Sequence, residues 1–573
     1  MHRQISMLAL CAACATACGA SQADGSSYQD AGVIVGADAG GSPQCFSSSE
    51  CPVGWTCSEF GTCLPPTTPP PDGGTVTPPE IEHEMSAPVS SLRFVWVALT
   101  DEDKLAKIDG TNLDVETVAV GHHPEVLAAM PGTDTAVVLD QSDDLSATSG
   151  VATVVRPAVG SNTTEVYATL PNMNRIAVSP DGRYAVAFFD LAKAIRDSGS
   201  LQAVRHIGSF QDVTVFALEP GHQAAVDLTV GFRPRAVEFD AASQRAYVVT
   251  DGGISIIDLA IQTQGMPTIV PPVPVTADPF ADASAVEVHV VASGDYAVVH
   301  VPGAAELRVV QLLGPTAGTG TVLPLPAEPT DIDLAPGGQR VYALTRTPTT
   351  LTAIDIPGDL AAPGSIETAD LGDLAAGQLT ISPDGSHGLL YTNAILDEHL
   401  TVVDLLAAGL PHTTFPLIKS VRAVGFDPTG AHAMVIHARA PGDPAQGTTV
   451  EEVIDREPGY SSVDLASGFS KLQLTPVDPS GFTFAPGAPR AYLMLDGGDA
   501  EGATAAVQIV ELDTGVVRSI NLNSPPSAIG ILPGAAKVFV NQRHALGRVT
   551  FIDVANEEVR TVTGFDLNSR VVD

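Results

Sequence analysis

The feature that most limits what this chain can fold into is a repeat. AVSPDGRYAVAFFD (177–190), ISPDGSHGLLYTN (381–393) and VGFDPTGAHAMVIH (424–437) each read as apolar strand, tight turn, apolar strand. In the turn, Pro presets φ at the first bend, Asp bonds its own backbone, and Gly accepts positive φ. A third strand follows and closes on an acid, as in ISIIDL (254–259), LTAIDI (351–356) and LTVVDL (400–405). A fourth completes the unit. The clearest copy runs AVEF (236–239), RAYVVT (245–250), ISIIDL and a strand near 268–275. Other copies start near Val126, Arg175, Val286, Asp331, Gln378, Arg422, Gly481 and Ser527. Four short strands every 45 to 50 residues or so, with turn signals between them, describe the blades of an all-β propeller.

Nine full units and a partial first one make ten by literal count. Propellers usually have about four to eight blades. Assigning the weakest units to insertions would leave seven to nine. The first unit, FVWVALTDEDKLAKID, has no evident first strand, whereas GFDLNSRVVD at the C-terminus has a strand's length. The expectation is a ring closed by that C-terminal strand filling the first blade, which leaves no open edge. Two long insertions, LAKAIRDSGSLQAVRHIGS (191–209) and ARAPGDPAQGTTVEEVIDREPGY (438–460), belong on a rim, where function concentrates.

Leu390-Tyr391-Thr392-Asn393 after ISPDG resembles the YVTN-type repeat of lactonase-like β-propellers. Val120-Gly121-His122-His123-Pro124 and Val230-Gly231-Phe232-Arg233-Pro234 resemble the V-G-x-x-P link between such repeats. The resemblance covers roughly residues 91–573. It implies the propeller fold, and it implies a lactonase-like hydrolase or oxidoreductase with a channel site as one functional class.

The first ninety residues read differently. MHRQISMLALCAACATAC has a short basic start and an apolar run of signal-peptide length (1–18). Ala15-Thr16-Ala17-Cys18-Gly19 resembles a bacterial lipobox, which implies a lipid on Cys18; Cys14 is the alternative. Gly19, rather than Asp, after that cysteine implies the outer membrane. Residues 19–44 are rich in Gly, Ala, Ser and Asp and read as a flexible tether. Cys45, Cys51, Cys57 and Cys63 stand at steps of six in a module spanning 45–64. An even set in a short exported segment predicts two disulfides, and the pairing stays open among three choices. A zinc site is the rival, although these four cysteines form no close CxxC pair. Residues 65–90 are a Pro/Thr-rich stalk.

With 66 acidic and 28 basic residues the formal net charge is −38, and no Lys/Arg cluster interrupts it. Nucleic acid needs a basic face, so it is excluded as a partner. No Gly-x-Ser-x-Gly or HExxH motif occurs. Asp101, Glu102, Asp103, His122 and His123 fall near blade ends but lack metal-ligand spacing, and His432 and His437 face opposite ways on one strand. The acidic loops at 140–150 and 496–502 lack the D-x-D-x-D-G calcium pattern. No catalytic residue, metal site or cofactor is expected, with calcium in one of the acidic loops as the minor alternative. The primary reading is a lipid-anchored outer-membrane protein whose propeller binds a protein, glycan or envelope component. The alternative is the channel-site hydrolase or oxidoreductase.

Overall fold

The computed structural model describes residues 88–564, apart from 141–147, 159–160, 206, 220–223, 263–268, 279–282 and 498–503, together with strands Thr56–Cys57, Cys63–Leu64 and Val571–Val572. Cys18, Cys45 and Cys51 lie outside the described residues. The backbones of Cys57 and Cys63 pair across a two-stranded ribbon, and their side chains lie outside the description.

Ten antiparallel sheets follow one another along the chain, each a meander of four strands, with a fifth short strand on the last. Their first strands begin at Val89, Pro124, Arg175, Ala236, Glu287, Pro329, Gln378, Val421, Pro479 and Pro526. From the second blade onward these starts fall within two residues of the sequence reading. The repeat count of ten therefore stands in full, and no unit dissolves into an insertion. First strands of successive blades pack on one another, which makes them the inner wall of the ring. Each blade buries its second and third strands against its neighbours. Val186, Val213 and Val215 of blade 3 share a core with Val237, Val248 and Ile257 of blade 4, for example.

Ring closure differs from expectation. Blade 1 has a first strand of its own, Val89–Ser90, which pairs with Trp96 and Val95. The C-terminal strand Val571–Val572 pairs with Val562 and Thr563, on the outer edge of blade 10. Among the described residues no strand is exchanged between the ends. The ring closes instead through packing: Val95, Val97 and Ile108 of blade 1 share a core with Leu532, Phe539 and Phe551 of blade 10. A backbone bond from Gly534 N to Leu92 O (2.8 Å) seals the same seam. A blade offers its neighbour a whole apolar face, far more buried area than one added strand would supply.

A meander of this kind puts its connections on two faces. The first-to-second and third-to-fourth connections share one, here called the turn face. The second-to-third connections and the links between blades share the other, the loop face. The S-P-D-G turns all lie on the turn face and have the predicted geometry. Ser179 Oγ donates to Asp181 Oδ1 (2.8 Å), Gly182 N to Ser179 O (2.9 Å), and Gly182 has φ 69°. Ser382, Asp384 and Gly385 repeat this in blade 7. These turns also join blades: Ala241 N donates to Ala292 O (2.9 Å), Ala292 N to Gly338 O (3.0 Å), and Asp181 N to Ser243 Oγ (3.2 Å).

Candidate functional site

Both long insertions leave from second-to-third connections, in blades 3 and 8, so both stand on the loop face. Each is built into the ring. In blade 3, Asp190 caps helix Leu191–Ser198 by accepting from Ala192 N and Lys193 N, and its other oxygen meets Arg175 Nε at 3.0 Å. Asn174 holds the Asp190 backbone from both sides. In blade 8, Lys419 is fully buried, and its ammonium donates to Ile454 O (2.7 Å) and Asp455 O (2.8 Å) near the C-terminal end of helix Val450–Arg456. Cations suit that end of a helix. Burial nevertheless holds the Lys419 pKa below its ordinary value.

The V-G-x-x-P links lie on this face as well. A Cβ on Gly121 would fall 2.3 Å from Asp140 Oδ2, and one on Gly231 2.2 Å from Thr250 Oγ1. The glycine thus lets the link cross over the end of the second strand. His123 (φ 55°) and Arg233 (φ 52°) then turn the chain before the proline. Asp103 accepts from His122 Nδ1 (3.0 Å) and His123 N (2.9 Å), and these bonds lower its pKa. Burial, by contrast, pushes Asp140 up to about 7. Asp103, His122 and His123 are therefore brought together, but in a link-stabilising role. Among the described residues no group of His, Cys, Asp or Glu is arranged to hold a metal. His432 meets Asp513 Oδ1 (3.2 Å), while His437 sits buried at the other end of the strand between Ser420 O and Ser461 Oγ. They share no site. Burial drives His437 down to about 4. The pair with Ser461 fills a place that Thr345 and Thr350 fill in blade 6 and Gln542 and Thr550 in blade 10, so it is part of the scaffold.

The inner wall carries a cluster that the sequence reading missed. Glu287 and His289 lie two apart on the first strand of blade 5, and the ladder sets His300 opposite Glu287. His289 Nε2 meets Glu287 Oε1 at 2.9 Å, and His300 Nδ1 meets Oε2 at 3.5 Å. Burial opposes the charge on Glu287, yet the two imidazoles hold its pKa down to about 2. Burial likewise opposes charge on His289, but the Glu287 bond together with the negative charges of Glu238, Glu287 and Asp333 outweighs it and raises the pKa. Glu238 of blade 4 and Asp331 and Asp333 of blade 6 flank this pair closely enough to act on it electrostatically. Glu238 accepts from Val290 N (2.8 Å) and Asp331 from Leu379 N (2.6 Å). Each acid accepts from a backbone N–H on the inner edge of the next blade, so side chains help satisfy the backbone of the wall. The sequence signal was E-V-H on one strand with a histidine in register on the next.

A cleft of about 460 Å³ opens on the loop face between blades 6 and 7, lined by residues 346–349, 372–375, Thr392 and Ile395. Its size falls in the usual range of small-molecule sites. Exposed large apolar residues are unevenly spread. Leu201, Ile207, Phe232, Val301, Ile395, Leu396, Ile418, Val450 and Leu546 are on the loop face, against Leu92, Leu406, Phe469 and Val516 on the turn face.

No family model and no curated protein matches the chain. Solved structures do. A dihydro-heme d1 dehydrogenase, NirN, in complex with DHE is 12% identical over 74% of this chain and 72% of its own, with a TM-score of 0.38. A eukaryotic initiation factor is 10% identical over 71% of this chain and 94% of its own, at 0.46. Apo AztD from Citrobacter koseri is 13% identical over 66% and 93%, at 0.35. At these scores the likenesses carry no functional argument. The chain's own strand pairing makes it a ten-bladed β-propeller.

Proposed function

We propose that this is an exported envelope protein, lipidated at Cys18, whose propeller binds an envelope component through the loop face. The observation that carries the reading is the convergence of both anchored insertions, the cleft and nine of the seventeen exposed large apolar residues on one face. Loops that stand on a rigid scaffold and vary from repeat to repeat are the ordinary place for an interaction surface. The chain also enters blade 1 on this face, at Val89, so a tether would hold the loop face toward the membrane that anchors it. An envelope-resident protein or glycan therefore fits better than a soluble partner.

The test compares faces. The mature protein is titrated onto purified outer-membrane fragments, and mass spectrometry of its N-terminus reads the lipid on Cys18. A Phe232→Ser, Ile418→Ser pair should weaken binding at least about tenfold, the scale of losing one good interface anchor. A Leu406→Ser, Phe469→Ser pair on the turn face should leave binding unchanged. Equal losses from both pairs would overturn the face assignment, and an unmodified N-terminus would overturn the anchor.

A second reading, a lactonase-like hydrolase or oxidoreductase, is favoured by the Glu287, His289 and His300 cluster on the inner wall. Turnover of a lactone panel that disappears in Glu287→Gln would support it.

A further inference from the structure

The cleft between blades 6 and 7 holds a basic group that the rest of this acidic chain does not use. Most described arginines sit against a carboxylate, as Arg175 does on Asp190 and Arg490 on Glu511. Arg346 is exposed in the cleft wall, and its guanidinium has no hydrogen-bond or ion-pair partner among the described residues. Its position is built. A Cβ on Gly377 would lie 2.0 Å from Arg346 Nη2, so the guanidinium occupies the space that a side chain at 377 would fill. Gly377 has no left-handed φ that would require glycine.

The walls are fixed before any ligand arrives. Thr349 Oγ1 lies 2.9 Å from both Arg346 O and Leu374 O, clipping the blade 6 hairpin to the link that leads into blade 7. Leu371 N donates to Thr349 O (3.0 Å) across the same seam. Asp373, exposed, lines the cleft as well and makes no ion pair with Arg346. Leu374 and Ile395 give it an apolar lining.

We propose that this cleft binds a small zwitterion with an apolar body, a free amino acid or a short peptide. Arg346 takes the carboxylate, Asp373 the ammonium, and Leu374 with Ile395 the apolar part. An arginine fork matches a carboxylate in two parallel hydrogen bonds. Opposite charges left unpaired in one cleft suit a ligand that carries both. The inference rests on the loop face being the binding face and names a ligand for one part of it.

Calorimetric titration of the mature protein with L-leucine, alanyl-leucine, N-acetyl-leucine and leucinamide tests it. Leucine and alanyl-leucine should bind, N-acetyl-leucine should bind more weakly, and leucinamide weakest. Arg346→Ala should weaken every carboxylate ligand by roughly ten- to a hundredfold, the scale of a lost charged hydrogen-bond pair. Asp373→Asn should erase the preference for leucine over N-acetyl-leucine. Arg346→Lys should keep the charge yet weaken the carboxylate ligands, because the planar fork is lost. No binding at millimolar ligand, leucinamide binding as well as leucine, or binding indifferent to Arg346→Ala would overturn the proposal. The Phe232 and Ile418 variants lie outside this cleft, so a failure of envelope binding and a failure of the zwitterion site read separately.

Discussion

On the turn face, Gly182, Gly385 and Gly430 hold the same place in three blades with φ between 69° and 73°. Each of these turns also touches the turn of the blade before it. On the loop face, the corresponding connections run from residues 347–348 in blade 6 to residues 438–458 in blade 8. The same strands feed both faces, so strand packing does not explain the contrast. The turn-face connections bond to one another around the ring, through Ala241, Ala292, Gly338 and the closing pair Gly534 and Leu92. A change in one turn must then suit two blades. Loop-face connections are held at their bases, by Asp190 and Asn174 or by Lys419, and their outer parts are free to differ. Repetition marks where blades hold one another, and irregularity marks where the molecule meets something else.

The largest test of this contrast uses two left-handed glycines. Gly338 (φ 64°) is on the turn face, and a Cβ there would lie 2.5 Å from Ala292 Cβ and 2.8 Å from Ala292 N. Gly199 (φ 76°) ends the blade 3 helix on the loop face with nothing within 4 Å of that position. Gly338→Ala should destabilise by about 2–4 kcal/mol, combining backbone strain with a clash between blades. Gly199→Ala should cost only the strain, about 1 kcal/mol. Melting midpoints of the two variants check this, and equal shifts would break the contrast.

A middle-sized effect concerns pH. Asp140 ends a second strand under the loop-face link, and burial raises its pKa to about 7. Between roughly pH 4 and that value the folded chain keeps a proton that the unfolded chain has released. The Asp140 contribution to stability therefore falls as pH rises through this window. Asp331, raised to about 6, acts with the same sign, while Glu287, held at about 2, contributes stability that is lost only as pH falls below about 4. Asp140→Asn fixes the neutral form, so it should raise the midpoint at pH 8 by about 2–5 °C and leave pH 5 nearly unchanged. An equal gain at both values would assign the effect to something other than titration.

The repeat was legible because its turn chemistry is local. Ser179, Asp181 and Gly182 bond one another within four residues, so any copy can be recognised alone. The first strand of blade 1 was not, because Val89–Ser90 has two residues and no Pro-Asp-Gly turn after it. The inner-wall cluster was half legible. Glu287 and His289 share a strand face by spacing, but His300 joins them only through the register of a hairpin. The Arg346 cleft was not legible, since Asp373 and Gly377 belong to the link that leads into the next blade. Sequence spacing within a blade reports local geometry, whereas sites between blades depend on how neighbouring repeats pack.

The smallest expected effect is at the C-terminus. A strand completing blade 1 would make the chain end essential, but Val571–Val572 lies on the outer edge of blade 10, beside Val562 and Thr563. The seam is carried elsewhere, by the core that joins Val95, Val97 and Ile108 to Leu532, Phe539 and Phe551, and by the Gly534 to Leu92 bond on the turn face. Deleting residues 565–573 removes none of these. It exposes one side of the outer strand Val559–Thr563, a position that the outer strands of the other blades already occupy. The deletion should cost less than about 1 kcal/mol, the range of a change away from packed features. Thermal melts of the mature protein with and without the segment measure this. A loss as large as that of Gly338→Ala would mean that the end strand, and not the belt of turns, holds the ring shut.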